Sequence, residues 1–104
     1  MKVLLVCSLG MSSDISVNAL KKEAEKQGQD MEVHAVSSGE FKDEVTNGYD
    51  VAMVAPQIRH RFRDLKAEAE EAHVLIDLIE PMAYSPLGGP KLYKQVMTLY
   101  NNSH

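Results

Sequence analysis

The sequence predicts one α/β domain whose parallel sheet is covered by helices on both faces, and two observations carry that expectation. Short apolar runs alternate with segments of helical periodicity in the order β-α-β-α-β-α-β-α, which folds through right-handed crossovers. The chain has 104 residues, 44% of them hydrophobic, the size and composition of a single unit with its own core. No internal repeat, low-complexity tract or long linker divides residues 1–104.

Each element has its own signal. Residues 2–6 (KVLLV) are a continuous apolar run, as suits a strand buried on both faces. The run ends in a small, polar loop, Cys7-Ser8-Leu9-Gly10-Met11-Ser12-Ser13-Asp14. From about 13 to 27 the pattern is helical, with Ile15, Ala19, Leu20 and Ala24 on one stripe and Lys21, Lys22, Glu25 and Lys26 elsewhere. Ser12 or Ser13 suits the N-cap, Asp14 the first turn, and Gly28 the stop. A second strand fits 31–36, and Ser37-Ser38-Gly39-Glu40 opens a short helical segment ending near Asn47-Gly48. Residues 50–55 (DVAMVA) read as a third buried strand that Pro56 ends, followed by a helix over 57–71 with Ile58, Phe62, Leu65 and Ala69 inward. A fourth strand is expected at 73–76. Residues 77–90 hold three of the four prolines and two glycines and read as a loop. A last helix covers 91–100 with Leu92, Val96, Leu99 and Tyr100 inward, and 101–104 fray.

Composition removes several function classes. A formal net charge of −4 argues against a nucleic-acid binder, which shows a strongly basic face. No apolar run reaches the ~20 residues that span a bilayer, and the N-terminal apolar run is too short for a signal peptide. The expected setting is therefore cytoplasmic, without direct membrane insertion. One cysteine forms no internal disulfide, and in an intracellular protein it is a candidate nucleophile as well as a small hydrophobe for the core. His34, His60, His73 and His104 lack paired ligand spacing, so no metal is expected, and the domain calls for no cofactor.

In a doubly wound sheet of order 2-1-3-4, ligands sit outside the carboxyl ends of the strands where strand order reverses. Those positions are the Cys7 loop and Pro56-Gln57. The first N–H groups of a helix lack intrahelical partners and carry the positive end of its dipole. A loop of glycine and serines turns such donors toward an anion of phosphate size, and the same field favours the thiolate, the reactive form of cysteine. Gly10 supplies unusual backbone angles, and Ser8, Ser12 and Ser13 supply hydroxyl donors.

On these residues the chain resembles the enzyme IIB proteins of the lactose/cellobiose class of the bacterial sugar phosphotransferase system. Val6-Cys7-Ser8-Leu9-Gly10-Met11-Ser12-Ser13 matches the family's strand followed by Cys-x-x-Gly-Met-Ser-Ser/Thr. Asp50-Val51-Ala52-Met53-Val54-Ala55-Pro56-Gln57-Ile58 is similar to its strand leading into Gly-Pro-Gln-Ile. The resemblance implies a flavodoxin-like three-layer sandwich, also similar to low-molecular-weight tyrosine phosphatases. It implies a phosphotransferase in which Cys7 takes phosphate from a phosphohistidine on enzyme IIA and passes it to a sugar held by the membrane permease, enzyme IIC. By motif position Ser8, Leu9, Gly10, Met11, Ser12 and Ser13 are the phosphate loop, with Met11, Pro56, Gln57, Arg59 and Tyr84 as candidates for a partner-docking rim. Two positions depart from the family. Asp14 stands where a small or neutral residue is common, and Tyr84-Ser85-Pro86-Leu87-Gly88-Gly89 replaces Tyr-Gly-x-x-Asp-Gly.

Two other readings use the same loop. A low-molecular-weight phosphatase or arsenate reductase needs Cys-x5-Arg, because an arginine fork binds phosphate bidentately. The corresponding position is Ser13, and no arginine precedes Arg59. Asp77 is the late-loop carboxylate such an enzyme would use as its acid. A regulatory module that binds phosphate without turnover is the other alternative. Residues 57–63 concentrate Arg59, His60, Arg61 and Arg63 near the expected active edge, either as a docking patch for an acidic partner or as a solvated helix face. Glu68, Glu70 and Glu71 read as a solvated face.

Overall fold

A computed structural model of the chain describes residues 1–7, 13–85 and 87–102, with the backbone alone at 13 and 14. Four parallel strands, β1 (Lys2–Cys7), β2 (Glu32–Ser37), β3 (Val51–Val54) and β4 (Leu75–Leu78), lie in the order β2-β1-β3-β4. The helices are α1 (Ser13–Lys26), α2 (Phe41–Glu44), α3 (Phe62–Glu71) and α4 (Gly89–Asn102). This is the three-layer arrangement the alternation of elements predicts.

Strand alternation divides the core into two halves. Val3, Leu5, Val33, Val51 and Met53 face Leu20 of α1 and Leu92 and Val96 of α4. Leu4, Val6, Ala52 and Val54 face Phe41 of α2, Val45 just after it, and Leu65 and Ala69 of α3. β1 contributes to both halves, and Val3 to Val6 are at most 1% exposed. Burying each such side chain stabilises the fold by about 1.5–3 kcal/mol.

The structure shifts several boundaries. Ile15 is half exposed, and the inward stripe of α1 is instead Ser16, Leu20, Glu23 and Ala24. Glu23 accepts a hydrogen bond from Gln27 Nε2 at 2.6 Å, which gives the buried carboxylate a partner one turn away. Residues 57–71 are not one helix. Pro56–Arg61 forms a 3₁₀ turn, Ile58 leaves helical geometry (φ −117°, ψ 26°), and α3 begins at Phe62. Ile58, Leu65 and Ala69 still reach the core, so the spacing survives the kink. Residues 77–90 include the end of β4, a 3₁₀ turn at Pro81–Ala83 and the first turn of α4. α4 continues through Asn102; residues 103 and 104 lie outside the described residues.

The fourth strand starts at Leu75 rather than His73, and the cause is the end of α3. His73 takes a left-handed conformation (φ 59°), its N–H donates to Glu70 O at 3.1 Å, and Val74 N–H donates to Ala69 O at 2.9 Å. This Schellman pair closes α3 and uses two residues before the chain can extend. α1 ends the same way on Gly28 (φ 71°), with Gly28 N–H to Glu25 O and Gln29 N–H to Ala24 O. The glycine was a visible stop signal; a histidine in the same role was not.

The amino-terminal end of the sheet is locked by polar contacts. Lys2 N–H donates to Asp50 Oδ2 at 2.8 Å, and Lys2 Nζ donates to Asn47 O and stands 4.5 Å from the Tyr49 ring centroid. Tyr49 OH donates to Glu44 Oε2 at 2.7 Å. That bond holds the Glu44 carboxyl below its ordinary value, while burial, followed by the bond to Glu44, holds the Tyr49 phenol above its own.

Two stability measurements check these features. His73→Gly removes the left-handed cost of a side chain and is expected to stabilise the protein by about 1 kcal/mol, read as a higher urea midpoint at unchanged slope. A lower midpoint would contradict the cap. Tyr49→Phe is expected to cost about 1 kcal/mol at neutral pH. Glu44's depressed pKa stabilises the fold above the ordinary carboxylate range and loses that effect as pH falls through the folded value. The gap between wild type and Tyr49→Phe should therefore narrow below pH ~4 in urea titrations across pH.

Candidate functional site

The site is built where β1 and β3 leave the sheet. The ladder runs one residue past the strands: Ser38 N–H donates to Cys7 O at 3.0 Å, Ala55 N–H to Val6 O at 2.8 Å, and Ile79 N–H to Val54 O at 2.8 Å. Cys7 is thereby fixed opposite Ser37 of β2, whose Oγ donates to Glu40 Oε1 at 2.9 Å. The Cys7 thiol is free and only 2% exposed. It breaks the alternation of β1, siding with Leu4, Val6, Val54 and Ile58 rather than with Val3 and Leu5.

Of the expected phosphate loop, Ser8, Leu9, Gly10, Met11 and Ser12 lie outside the described residues. Ser13 opens α1. Because α1 connects two parallel neighbours, it runs antiparallel to them, which puts its N-terminus at the same end of the sheet as Cys7. Its first N–H groups have no partner within the helix. The thiol and the N-terminus of α1 thus share one end of the sheet by topology.

The other expected positions fall around the β3 and β4 exits. Pro56 is half-buried at the start of the 3₁₀ turn, and Gln57 and Arg59 are exposed. Pro56 and Arg59 line a cleft of about 220 Å³ with Leu78, Ile79, Glu80 and Pro81. Tyr84 is half-buried and packs against both halves of the core, an anchoring role for the segment after β4. Gln57 and Tyr84 do not line that cleft.

Sequence reasoning missed what orients the β4 exit. Gln95 of α4 accepts from Glu80 N–H at 3.0 Å through Oε1 and donates to Leu78 O at 2.9 Å through Nε2. Its amide thus pairs with the open edge of β4, and nothing in a mid-helix glutamine advertises that pairing. Ser16, 2% exposed in the first turn of α1, was also missed, because Ile15 beside it carries the stronger hydrophobic signal. Asp77 is not a loop residue. It lies in β4 opposite Met53, whose side chain faces α1 and α4, whereas Cys7 packs with the cluster facing α2 and α3. Its Oδ1 accepts from Leu78 N–H, and it lines a groove beside Lys91 and Lys94 of α4. That placement gives no acid to the β1 exit.

Fold and site together define a doubly wound domain with its single thiol at the switch point. The chain belongs to the lactose/cellobiose-specific IIB subunit family of the phosphotransferase system (PTS), which its sequence matches over residues 2–95. It is 32% identical over 101 residues to the PTS oligo-β-mannoside-specific EIIB component of Bacillus subtilis (strain 168), covering 97% of each chain. It is also 32% identical over 82 residues to the PTS lactose-specific EIICB component of Streptococcus mutans, covering 79% of this chain and 14% of that protein. The lactose-specific IIB domain structure from Streptococcus pneumoniae superposes with a TM-score of 0.81 at 27% identity, covering 96% of this chain and 97% of that one. The protein is thus a sugar-specific phosphotransferase component of lactose/cellobiose type.

Burial of Cys7 has a direct chemical consequence. A bulky aromatic disulfide reagent should label the native protein at least ten times more slowly than the urea-unfolded chain, since access limits thiol reactivity. Equal rates, followed by absorbance of the released thiolate, would show the sulfur open in the folded state.

Proposed function

We propose that Cys7 is the phosphoryl acceptor and that the chain is the cytoplasmic phosphocarrier of a sugar uptake system. The observation that carries this reading is a free thiol at the carboxyl end of the central strand, at the switch point, in a chain of the IIB family. In the first transfer the Cys7 thiolate attacks phosphorus of a phosphohistidine on enzyme IIA. The S–P bond forms, the N–P bond breaks, and the imidazole nitrogen keeps the electron pair. In the second, a sugar hydroxyl held by enzyme IIC attacks the same phosphorus and releases its proton to solvent. The O–P bond forms and the thiolate leaves.

Such transfers need in-line placement and stabilisation of charge spread over three oxygens more than they need acid-base groups. The role assigned to Ser8, Leu9, Gly10, Met11, Ser12 and Ser13 is to supply backbone N–H donors to those oxygens, with the start of α1 adding its dipole. Pro56, Gln57, Arg59 and Tyr84, with Met11, form the rim that meets the partners. One sulfur serves donor and acceptor in turn, so the two dock on the same face and each contact is transient.

The EIICB relative from Streptococcus mutans carries a region like this chain within a much longer protein, which supports a IIC partner. Among the described residues no helix is long and apolar enough to cross a membrane. Association with the inner face of the membrane then runs through IIC. The relatives are named for different sugars, oligo-β-mannoside and lactose, on one shared domain. That fits a carrier whose sugar, of the cellobiose, chitobiose or lactose class, is selected by the permease.

Incubation with phosphoenolpyruvate, the general phosphate carriers and a cognate enzyme IIA should add one phosphoryl group, mapped to Cys7 by mass analysis. Cys7→Ser should accept none, and label should move on to sugar when IIC-containing membranes are added. A folded Cys7→Ser protein phosphorylated as fully as wild type would overturn the assignment.

A further inference from the structure

Residues 51–63 contain no carboxylate but hold Arg59, His60, Arg61 and Arg63, in a chain where the other eight lysines and arginines stand against fifteen carboxylates. All four basic side chains are exposed, and they occupy the 3₁₀ turn at the β3 exit and the first turn of α3. That turn follows the switch-point strand, so the charge lies at the same end of the sheet as Cys7. Among the described residues none of the three arginines forms a salt bridge. The ion pairs there are Lys2–Glu32 and His34–Glu32, toward the opposite end. Asp64 follows the patch in α3, and Glu80 lines the same cleft as Arg59, yet neither pairs with an arginine. Next to that cleft Met82 is 73% exposed, an apolar side chain beside a basic rim.

We infer that Arg59, Arg61 and Arg63 form an electrostatic docking patch that selects the phosphoryl donor over the permease, by engaging an acidic protein surface surrounding the donor's phosphohistidine. This rests on the reading of Cys7 as acceptor. The physical reason is asymmetry between the two partners. Cytoplasmic loops of membrane proteins carry an excess of lysine and arginine, to which a basic patch adds no attraction. A carboxylate-rich donor surface is attracted, and the attraction raises the encounter rate and fixes orientation. Arginines without an ion pair among the described residues suit this use, because no such pair must break before a partner's carboxylates engage them. With a Debye length of about 8 Å in physiological salt, the attraction acts at close approach and weakens as salt rises.

The test uses the full chain with its cognate enzyme IIA. The variant Arg59→Glu/Arg61→Glu/Arg63→Glu should raise the KM for phospho-IIA about tenfold or more, with a much smaller change in kcat for Cys7 phosphorylation. It should also flatten the dependence of KM on salt, and Arg59→Lys/Arg61→Lys/Arg63→Lys should restore both. Titration of unphosphorylated IIA should show the same loss of affinity, and a wild-type urea midpoint should confirm the fold. Unchanged KM and salt slope in the glutamate variant would overturn the patch. So would unchanged KM together with loss of binding to phosphatidylglycerol vesicles, which would make the patch a lipid contact. If wild-type Cys7 accepts no phosphate, the proposed function fails, and the binding titration still decides whether the arginines dock IIA.

Discussion

Everything at the site depends on the burial of β1 between two parallel neighbours. β1 pairs with β2 along its whole length and with β3 from Val3 to Val6, and its side chains feed both halves of the core. A strand held on both edges and both faces cannot slip by one residue without inverting which side chains are inside. That constraint fixes which way each side chain of β1 faces, and the last of them is Cys7, packed in the core with Leu4, Val6, Val54 and Ile58.

The two ends of the sheet are built for different work. At the amino end Lys2, Asp50, Tyr49 and Glu44 bond to one another, so the strand starts are cross-tied by side chains as well as by the ladder. At the carboxyl end the described ties are mostly main-chain bonds that prolong the ladder by one residue, plus the Gln95 amide on the open edge of β4. Side chains such as Arg59, Met82 and Gln57 remain exposed there. An end held by backbone bonds keeps its shape while presenting a surface to partners, which suits the carrier role proposed for Cys7.

Charge refines that picture. The chain as a whole is acidic, with a formal net charge of −4. Against that background the exposed Arg59, His60, Arg61 and Arg63 form a short basic turn at the same end of the sheet as Cys7. Relatives named for different sugars, oligo-β-mannoside and lactose, share this domain.

The sequence by itself determined the class of fold and the order of elements, and it set Cys7 at the junction of the first strand and the loop after it, where the structure makes it the last residue of β1. Those follow from local signals: valine-rich runs, a proline after β3, a glycine after α1, and a cysteine followed by small polar residues. Periodicity also found Leu20, Leu65, Ala69, Leu92 and Val96, since a stripe must point at the sheet whatever the loops do. Other features were decided only by the tertiary structure. His73 takes the left-handed role usually given to glycine, which moved β4 by two residues and carried Asp77 from a loop into a strand. Ser16 displaced Ile15 from the core side of α1, because the approach of that helix to the sheet sets its rotation and hydrophobicity only votes on it. Gln95 found the edge of β4, and Arg59 and Glu80 came to face one cleft, through contacts between residues distant in the chain. The place of Cys7 was legible because it depends on where a strand ends; its neighbours across the sheet were not, because theirs depend on how the strands and helices are brought together.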